Sequence, residues 1–483
     1  MASSEKRADP TDLDGLREAL AASDPGGRLA PLGMGRIEIG SGVLGLLPEV
    51  VEELLGDGEE PGGVRVVLVT DPTPIPRRGG ELKGLVEAML AEHFEVERAV
   101  IGVGHDGQLH ADEEALDEAE AAVAGAGCVV VVGSGTISDI CKVATRRTGG
   151  TPLVLVQTAA SVNGYSDDVS VLLKSGVKRT VPSRWPDALI ADLPTLAEAP
   201  PVMNAAGYGD AVAMYTGPAD WYLAHLVGMD DSYRSAPIGM VLEYGSDLVE
   251  RAGAMRSHEP EALDLLVRVL TLGGIAAGVT GTTACLSGTE HLVSHLVDLH
   301  NGQNGLPLGF HGAQVGVVSV VGAAAWEVLF EDLDPSKVDV DACFPVPEKM
   351  EPAVRDAFGG IDSSGAVAEE CWSDYSRKLE RWRESRKVFE AVLENWPRHR
   401  DELKEMVVSP ERLAGALESA GAPVRFGDLT PPVPPEVGRW ALQNCHLMRN
   451  RFTIADLLFF LGWWDEAFVE GLLGRARSVG GGL

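Results

Sequence analysis

The sequence has few positive charges. Its 40 lysines and arginines stand against 72 aspartates and glutamates, which gives a formal net charge of −32 at pH 7. A surface of that sign repels a polyanion over most of its area, so the composition argues against a nucleic-acid partner. An anionic ligand would need a local basic patch.

Cysteine pairs at metal-binding or redox spacing are also missing. The sequence has six cysteines and no CxxC motif, at Cys128, Cys141, Cys285, Cys343, Cys371 and Cys445. This scatter indicates neither a disulfide framework nor a thiolate zinc site, and we expect reduced thiols.

A long hydrophobic run is the third missing feature. No unbroken apolar run reaches the ~18 residues expected of a membrane span. The charged start Met1–Arg7 has no apolar core behind it that could form a signal peptide. We therefore expect a cytoplasmic protein without a membrane partner, and 483 residues leave room for two or more domains.

Strand-like and helix-like segments alternate between residues 36 and 199. The predicted strands are Val64–Thr70, Val96–Val103, Cys128–Val132, Leu153–Val156 and Leu189–Leu193. The helical segments between them include Glu81–His93, Glu113–Ala124 and Thr136–Arg146, the first with apolar residues at helical spacing. This alternation predicts an α/β domain with a parallel sheet and helices on its faces.

The pattern changes at Pro200-Pro201, where strand signals largely disappear. Long apolar or charged helical segments follow, at 211–226, 237–252, 259–277, 285–299, 312–330, 366–396, 436–448 and 453–473. We predict an N-terminal extension over 1–35, an α/β domain over 36–199 and an all-α domain over 200–483.

Two histidines share one helix face in the second half of the chain. His291 and His295 have the i,i+4 spacing, His311 lies in a Gly-rich segment before an apolar helix, and Asp210 follows a glycine. A single histidine on an apolar helix is more often a core or surface residue than a ligand. Imidazoles with a carboxylate, however, can hold a divalent ion and leave a position open for substrate.

A Gly-rich turn follows the predicted strand Cys128–Val132. Gly133-Ser134-Gly135 lets the backbone approach a pyrophosphate at a helix N-terminus. Many tight strand-to-helix turns use glycine for geometry alone, so both interpretations stay open. Asp71, at the end of an earlier strand, can accept from a ribose hydroxyl and would favour NAD over NADP, although Asp-Pro also opens simple turns.

A polar loop, Gln157–Asp168, follows the next predicted strand and has the composition of ligand-binding loops. Lys178-Arg179 comes shortly after it. This pair is the best candidate for pairing with a phosphate, with a solvated charge pair on a hairpin as the alternative.

Seven segments in register resemble the iron-containing alcohol dehydrogenase and dehydroquinate-synthase-like superfamily, and most closely its sn-glycerol-1-phosphate dehydrogenase branch. The resemblance covers residues 36–473. The segments are GSGTISD at 133–139, TAASVNGYSDD at 158–168, VKRT at 177–180, AGYGD at 206–210 with DW at 220–221, SGTEHLVSH at 287–295, FHGAQVGV at 310–317 and RNRFTIADLL at 449–458.

This resemblance implies a Rossmann-like N-terminal domain, an all-helical C-terminal domain and an active site in the cleft between them, where NAD or NADP meets a metal. It places the metal ligands at Asp210, His291 and His311, with Zn²⁺ expected and Fe²⁺ or Ni²⁺ as alternatives. The implied catalytic residues are His295, Asn163 and Lys178. With the residues singled out above, the predicted cofactor-binding residues are Asp71, Gly133, Ser134, Gly135, Thr136, Asp139, Thr158 and Ser161.

The chain departs from the family pattern at two positions. Met214 stands four residues after Asp210, where related dehydrogenases carry Lys or His, so a ligand at that spacing is excluded. Asn163 stands where the branch usually has Asp, and an amide can bond a hydroxyl but cannot act as a base.

The leading functional hypothesis is an NAD(P)-linked, metal-dependent oxidoreductase that interconverts a polyol or sugar, glycerol-1-phosphate-like and phosphorylated, with its ketone. A second hypothesis is a sugar-phosphate cyclase or lyase that uses NAD transiently. The third is a non-catalytic nucleotide-binding relative. The resemblance also leaves room for a homodimer.

Overall fold

The computed structural model of the protein describes residues 7–56, 64–102, 109–174, 177–362 and 364–483. Contacts within the chain divide it into two units. The first comprises Met1–Gly207 and Gly239–Gly281, and the second Tyr208–Ile238 and Thr282–Leu483. The predicted domain ranges 36–199 and 200–483 stay a prediction, and the contacts group residues 239–281 with the first unit.

Within the described part of the chain, all strands lie in the first unit. In chain order they are β1 (Arg36–Gly40), β2 (Arg65–Thr70), β3 (Pro76–Arg77), β4 (Gly80–Glu81), β5 (Glu95–Val100), β6 (Cys128–Gly133), β7 (Leu153–Gln157), β8 (Val169–Lys174), β9 (Val177–Pro182) and β10 (Ala188–Asp192). Six of them form one sheet in the order β1-β10-β7-β6-β2-β5, and every pairing in it is parallel. The predicted parallel sheet is confirmed.

The central strands are buried on both faces, which explains why their sequences are nearly continuous apolar runs. The edge strand β1 alternates between buried and half-buried positions. The antiparallel pairs β3–β4 and β8–β9 lie outside the main sheet. Lys178-Arg179 therefore lies on a hairpin, although the side chain of Lys178 is outside the described part of the structure.

In the described part of the chain up to residue 211, seven α-helices accompany the strands. They are α1 (Leu13–Ser23), α2 (Leu47–Leu55), α3 (Leu82–Ala91), α4 (Glu113–Val123), α5 (Gly135–Arg147), α6 (Leu193–Ala197) and α7 (Pro201–Ala211). Helix α1, within the predicted N-terminal extension, buries Leu13, Leu16 and Leu20.

The rest of the described chain is helical. Its helices are α8 (Gly217–Leu226), α9 (Ser235–Leu242), α10 (Gly245–Glu250), α11 (Ala252–Arg256), α12 (Pro260–Thr280), α13 (Thr289–Gln303), α14 (His311–Asp332), α15 (Pro347–Gly359), α16 (Ala366–Glu384), α17 (Arg386–Glu394), α18 (Trp396–Lys404), α19 (Pro410–Ala420), α20 (Pro435–Asn444), α21 (Ile454–Phe460) and α22 (Glu466–Ser478). The predicted helix over 366–396 is divided into three. One reason is Pro397, which occupies the start of α18 and favours a new helix there.

Two helices, α12 and α14, are long and apolar enough to cross a membrane by length and composition. Their most apolar windows are 89% and 94% buried inside the protein, as in core helices of a globular domain. The high hydropathy of each helix is an average over a window. Polar residues and glycines interrupt both helices, so the sequence shows no unbroken apolar run.

A buried ion pair joins α16 to α21 in the second unit. The ammonium of Lys378 donates to the carboxylate of Asp456 and to the carbonyl oxygen of His446, both at 2.6 Å. Both charged side chains are 0% exposed. Residues 335–400, which include α16, contain none of the seven segments that resemble the family and are extra sequence in that comparison. The ion pair makes that region part of the core of the second unit.

We expect His446 to make the protein less stable in mild acid. Burial and the nearby ammonium of Lys378 lower the pKa of its imidazole well below the usual value. The folded state therefore holds the ring neutral, while the unfolded state takes up a proton as the pH falls below about 6.5. Stability should fall by up to ~1.4 kcal/mol per pH unit below that point. Tyr375, Cys445 and Asp456 are its other titratable neighbours.

Urea unfolding at pH 7.5, 6.5 and 5.5 checks this expectation against His446→Phe, an aromatic replacement in a position that already stacks on Phe459. The variant should lose part of the acid dependence. Parallel stability curves for the two proteins would contradict it.

Candidate functional site

The three predicted metal ligands lie together in the second unit. Asp210 is in the last turn of α7, His291 in the first turn of α13, and His311 is the first residue of α14. One ligand atom from each lies within 4.8 Å of the others, and His291 Nε2 is 3.8 Å from Asp210 Oδ1. Metal bonds of about 2.0–2.2 Å in tetrahedral geometry separate neighbouring donor atoms by roughly 3.3–3.6 Å. The donor set fits a divalent ion.

The ring of His291 is oriented by its neighbour in the chain. His291 Nδ1 is 3.1 Å from Oε1 of Glu290, which also accepts from the backbone N–H of Gly288 at 2.7 Å. The second oxygen of Glu290 accepts from the hydroxyl of Thr216. Because a carboxylate only accepts, the proton of the neutral ring is on Nδ1 and Nε2 presents its lone pair toward Asp210.

The ring of His311 is held by a hydroxyl. Its Nδ1 is 3.0 Å from the Oγ of Ser294 on α13. Ser294 in turn donates to the Oε1 of Gln314 at 2.6 Å, and Gln314 Nε2 donates to Asp298 Oδ1 at 3.0 Å. Sequence reasoning missed Glu290, Ser294, Asp298 and Gln314.

His295, the predicted catalytic histidine, packs beside this ligand set. Its ring stacks on that of His311, with centroids 5.5 Å apart and planes 22° from parallel. It lies one turn after His291 on α13, as the spacing predicts, and is not a member of the three-residue group. Met214 is fully buried, so this position contributes an apolar side chain to the core.

Glycines bring α7 against the start of α14. A methyl group at Gly209 would lie 2.2 Å from the carbonyl oxygen of Gly312. From the other side, a methyl group at Gly316 would lie 2.9 Å from the Cα of Gly209. Asp210 follows Gly209 and His311 precedes Gly312. The close approach of the two helix backbones therefore sets the distance between these two ligands.

The Gly-rich turn borders the point where the sheet reverses its order. The chain runs from β2 outward to β5 and then returns to the other side of β2 as β6. In open α/β sheets, ligands bind outside the carboxyl ends of strands at such a switch point. Gly133 ends β6 and Asp71 follows β2, the adjacent strand. This topology explains why the turn follows β6 rather than the first strand of the sheet.

The first turn of α5 has no side-chain cap from its N-cap residue. Ser134 is the N-cap residue, and its side chain makes no capping hydrogen bond to the helix. Gly135 and Thr136 follow it, and a methyl group at Gly135 would lie 2.9 Å from Val162. The unsatisfied N–H groups of a helix N-terminus favour phosphate. Thr158 follows β7 and lies beside Gly133, to whose carbonyl its N–H donates at 3.3 Å.

Asp139 serves the hairpin in this structure. Its Oδ2 accepts from the backbone N–H of Val171 at 2.9 Å. Burial raises the pKa of the Asp139 carboxyl to about 7. Its assignment to cofactor binding stays a prediction, and the contact with β8 gives it a structural role.

A buried lysine fixes the polar loop that contains Ser161 and Asn163. Lys142, on α5, donates to the carbonyl oxygens of Gly164 and Val169 at 3.0 and 2.5 Å and to the carboxylate of Asp167. Ser161 is buried, and Asn163 occupies the N-cap position of the short 3-10 turn Gly164–Ser166 without a side-chain capping bond. Lys142 was not predicted from the sequence, although its spacing of three from Asp139 places both on one helix face.

Asp71 is engaged in a largely buried ion pair. Lys83 donates to the Asp71 carboxylate at 2.6 Å, to the Asp71 carbonyl oxygen at 2.6 Å and to the carbonyl oxygen of Thr73 at 2.5 Å. The side chain of Lys83 is 2% exposed and that of Asp71 is 19% exposed. The lysine offsets the negative charge that would repel a 2′-phosphate. Asp71 therefore disfavours NADP less than its charge alone would suggest.

We expect Asp71→Ala to lower the free energy of unfolding by about 3 kcal/mol, because the ammonium of Lys83 would stay buried without its carboxylate. The double variant Asp71→Ala/Lys83→Met should recover most of this loss, since removing both charges leaves no unpaired ion. Urea unfolding of the two variants measures both effects. A double variant as unstable as Asp71→Ala would contradict this explanation.

The comparisons with known proteins agree with this architecture. A family model described as iron-containing alcohol dehydrogenase matches residues 38–200. The glycerol-1-phosphate dehydrogenase, NAD(P)+, of Haloquadratum walsbyi is 32% identical over 286 residues, covering 59% of this chain and 75% of that protein. The protein of the same name from Natronomonas pharaonis is 32% identical over 288 residues, with coverages of 59% and 75%.

A solved structure shows the same fold at lower identity. The probable glycerol dehydrogenase from Sinorhizobium meliloti 1021 superposes with a TM-score of 0.54 at 15% identity, covering 93% of this chain and 99% of that one. The chain therefore belongs to the iron-containing alcohol dehydrogenase family, and glycerol-1-phosphate dehydrogenases are among its relatives.

Proposed function

We propose that the protein is a metal-dependent, NAD(P)-linked dehydrogenase that interconverts a glycerol-1-phosphate-like polyol phosphate and its ketone. The observation that carries this proposal is the convergence of Asp210, His291 and His311, with both imidazoles held through Nδ1 so that Nε2 is available. The names of the relatives supply the substrate class.

In this proposal Asp210, His291 and His311 hold the ion, with Zn²⁺ expected and Fe²⁺ or Ni²⁺ as alternatives. When bound, the ion supplies Lewis acidity to the substrate oxygen and the dinucleotide accepts or returns the hydride. His295, stacked on His311, is the candidate to exchange the proton of the substrate hydroxyl.

The other predicted residues take binding roles. The cap of α5, with Gly133, Ser134, Gly135 and Thr136, receives the pyrophosphate of the cofactor, supported by the lack of a side-chain cap at Ser134. Asn163 hydrogen-bonds a substrate hydroxyl, and Lys178 pairs with the substrate phosphate. A cytoplasmic location and a homodimer also belong to this proposal.

Metal content and cofactor turnover test the proposal together. We expect about one divalent ion per chain by elemental analysis, and a change in NADH absorbance with glycerol-1-phosphate or dihydroxyacetone phosphate. Chelation should abolish the change, and Zn²⁺, Fe²⁺ and Ni²⁺ restored separately would identify the competent ion. Phosphate-free glycerol and dihydroxyacetone are the matched substrate controls.

Other outcomes would favour the alternatives. Product formed from a sugar phosphate without net NADH change would favour a cyclase or lyase. Absence of both bound metal and turnover would favour a non-catalytic relative.

A further inference from the structure

Three buried polar side chains extend from His311 into the core of the second unit. Ser294 is 0% exposed, and Gln314 and Asp298 are each 2% exposed. They form an unbroken series of hydrogen bonds from His311 Nδ1 through Ser294 and Gln314 to Asp298, at 3.0, 2.6 and 3.0 Å. Buried polar groups are costly unless they are paired, and a fully paired network has one preferred arrangement.

The direction of every hydrogen bond in this series follows from its far end. The carboxylate of Asp298 can only accept, so the amide NH₂ of Gln314 faces it and the amide oxygen faces Ser294. That oxygen accepts the single hydroxyl proton of Ser294. The oxygen of Ser294 is then the acceptor for His311, and the ring must carry its proton on Nδ1.

We infer that Asp298, Gln314 and Ser294 are positioning residues that fix the tautomer of His311 and thereby set the affinity of the protein for its divalent ion. The inference rests on the metal site of the proposed function. A neutral imidazole binds a metal only through the nitrogen that carries no proton. By holding the proton on Nδ1, the series keeps the Nε2 lone pair available before any ion arrives.

Asp298→Asn tests the inference three hydrogen bonds away from the ring. An asparagine can donate as well as accept, so Gln314 can turn and offer its NH₂ to Ser294. Ser294 then donates its proton to His311 Nδ1, and the ring carries its proton on Nε2, where it blocks the metal. The replacement keeps the size of the side chain and changes the direction of the series.

Two measurements decide the matter. Long-range ¹H–¹⁵N spectra of the metal-free protein labelled in histidine report which ring nitrogen of His311 carries the proton, with His311→Gln used for assignment. Competition with a chromophoric chelator gives the zinc affinity. We expect the Nδ1–H form in the unmodified protein, a mixture of tautomers in Asp298→Asn, and a loss of zinc affinity of about 10-fold.

Ser294→Ala should lower the zinc affinity further, by about 10- to 100-fold, because it removes the acceptor for the ring proton. Ser319→Ala is the matched control. Ser319 is an equally buried serine on α14 whose hydroxyl donates to the carbonyl oxygen of Val315 and is not part of the series. This control should bind zinc like the unmodified protein.

Unchanged tautomer and affinity in Asp298→Asn would overturn the inference, as would an equal loss in Ser294→Ala and Ser319→Ala. A protein that binds none of Zn²⁺, Fe²⁺ and Ni²⁺ would instead overturn the proposed function, and the spectra of the metal-free protein would still show whether Asp298 controls the tautomer.

Discussion

His291→Ala is expected to lower zinc affinity by roughly 10²- to 10³-fold and to abolish dehydrogenase activity at ordinary zinc concentrations. Zinc sites with four protein ligands bind with about 10–16 kcal/mol, so one ligand accounts for roughly 3–4 kcal/mol. The variant also removes the ring N–H that the buried carboxylate of Glu290 contacts, and the unpaired carboxylate adds to the cost of the substitution.

Zinc competition and NADH turnover measure this effect, and His300→Ala is the control. His300 lies on the same helix, and its Nδ1 is 3.3 Å from the side-chain oxygen of Asn301 rather than near the ligand set. The control should keep both zinc affinity and activity. Equal behaviour of the two variants would show that His291 is not a ligand.

Gly209→Ala is expected to disrupt the metal site without altering any ligand. The added methyl group would lie 2.2 Å from the carbonyl oxygen of Gly312, far inside van der Waals contact with backbone that cannot turn away. Helices α7 and α14 would have to separate by about 1 Å, while metal bonds tolerate only ~0.2 Å. We expect a loss of stability of about 1–3 kcal/mol and a clear loss of zinc affinity.

Gly471→Ala is the matched control, since Gly471 lies on α22 with no neighbouring atom within 4 Å of an added methyl group. It should stabilise the protein by about 0.5–1 kcal/mol, as alanine usually does in a helix. Urea unfolding and zinc competition are measured for both variants. Normal zinc affinity in Gly209→Ala would contradict the role given to the helix contact.

Most of the strands that could be predicted from the sequence are buried on both faces, and the exception is β5, a largely exposed edge strand. Strands β2, β6, β7 and β10 are nearly continuous apolar runs, and their alternation with helices predicts a parallel sheet. Strand β1 was missed because its two apolar residues alternate with Arg36, Glu38 and Gly40 in a very short segment. Strands β8 and β9 were not predicted as strands, although a hairpin was the alternative considered for Lys178-Arg179.

For the candidate site, residue type and spacing identified the three side chains that converge. They did not identify the residues that orient them. Gln314 and Asp298 are 16 positions apart in the chain and meet only because α13 and α14 pack together. Ordinary polar residues at such separations carry no signal in a single sequence. The sequence also shows no sign that Asp71 pairs with Lys83. Lys83 is not among the apolar positions of its helix, which are the positions expected to be buried.

The ion pair between Lys378 and Asp456 limits how the chain could be shortened by protein engineering. The extra sequence over 335–400 is an obvious segment to delete in a minimal version of the protein. Its removal would take away the ammonium and leave the carboxylate of Asp456 buried without a cation, while that carboxylate also receives the N–H of Thr453 at 2.8 Å. A workable deletion would have to replace Asp456 by an uncharged residue that can still accept that hydrogen bond.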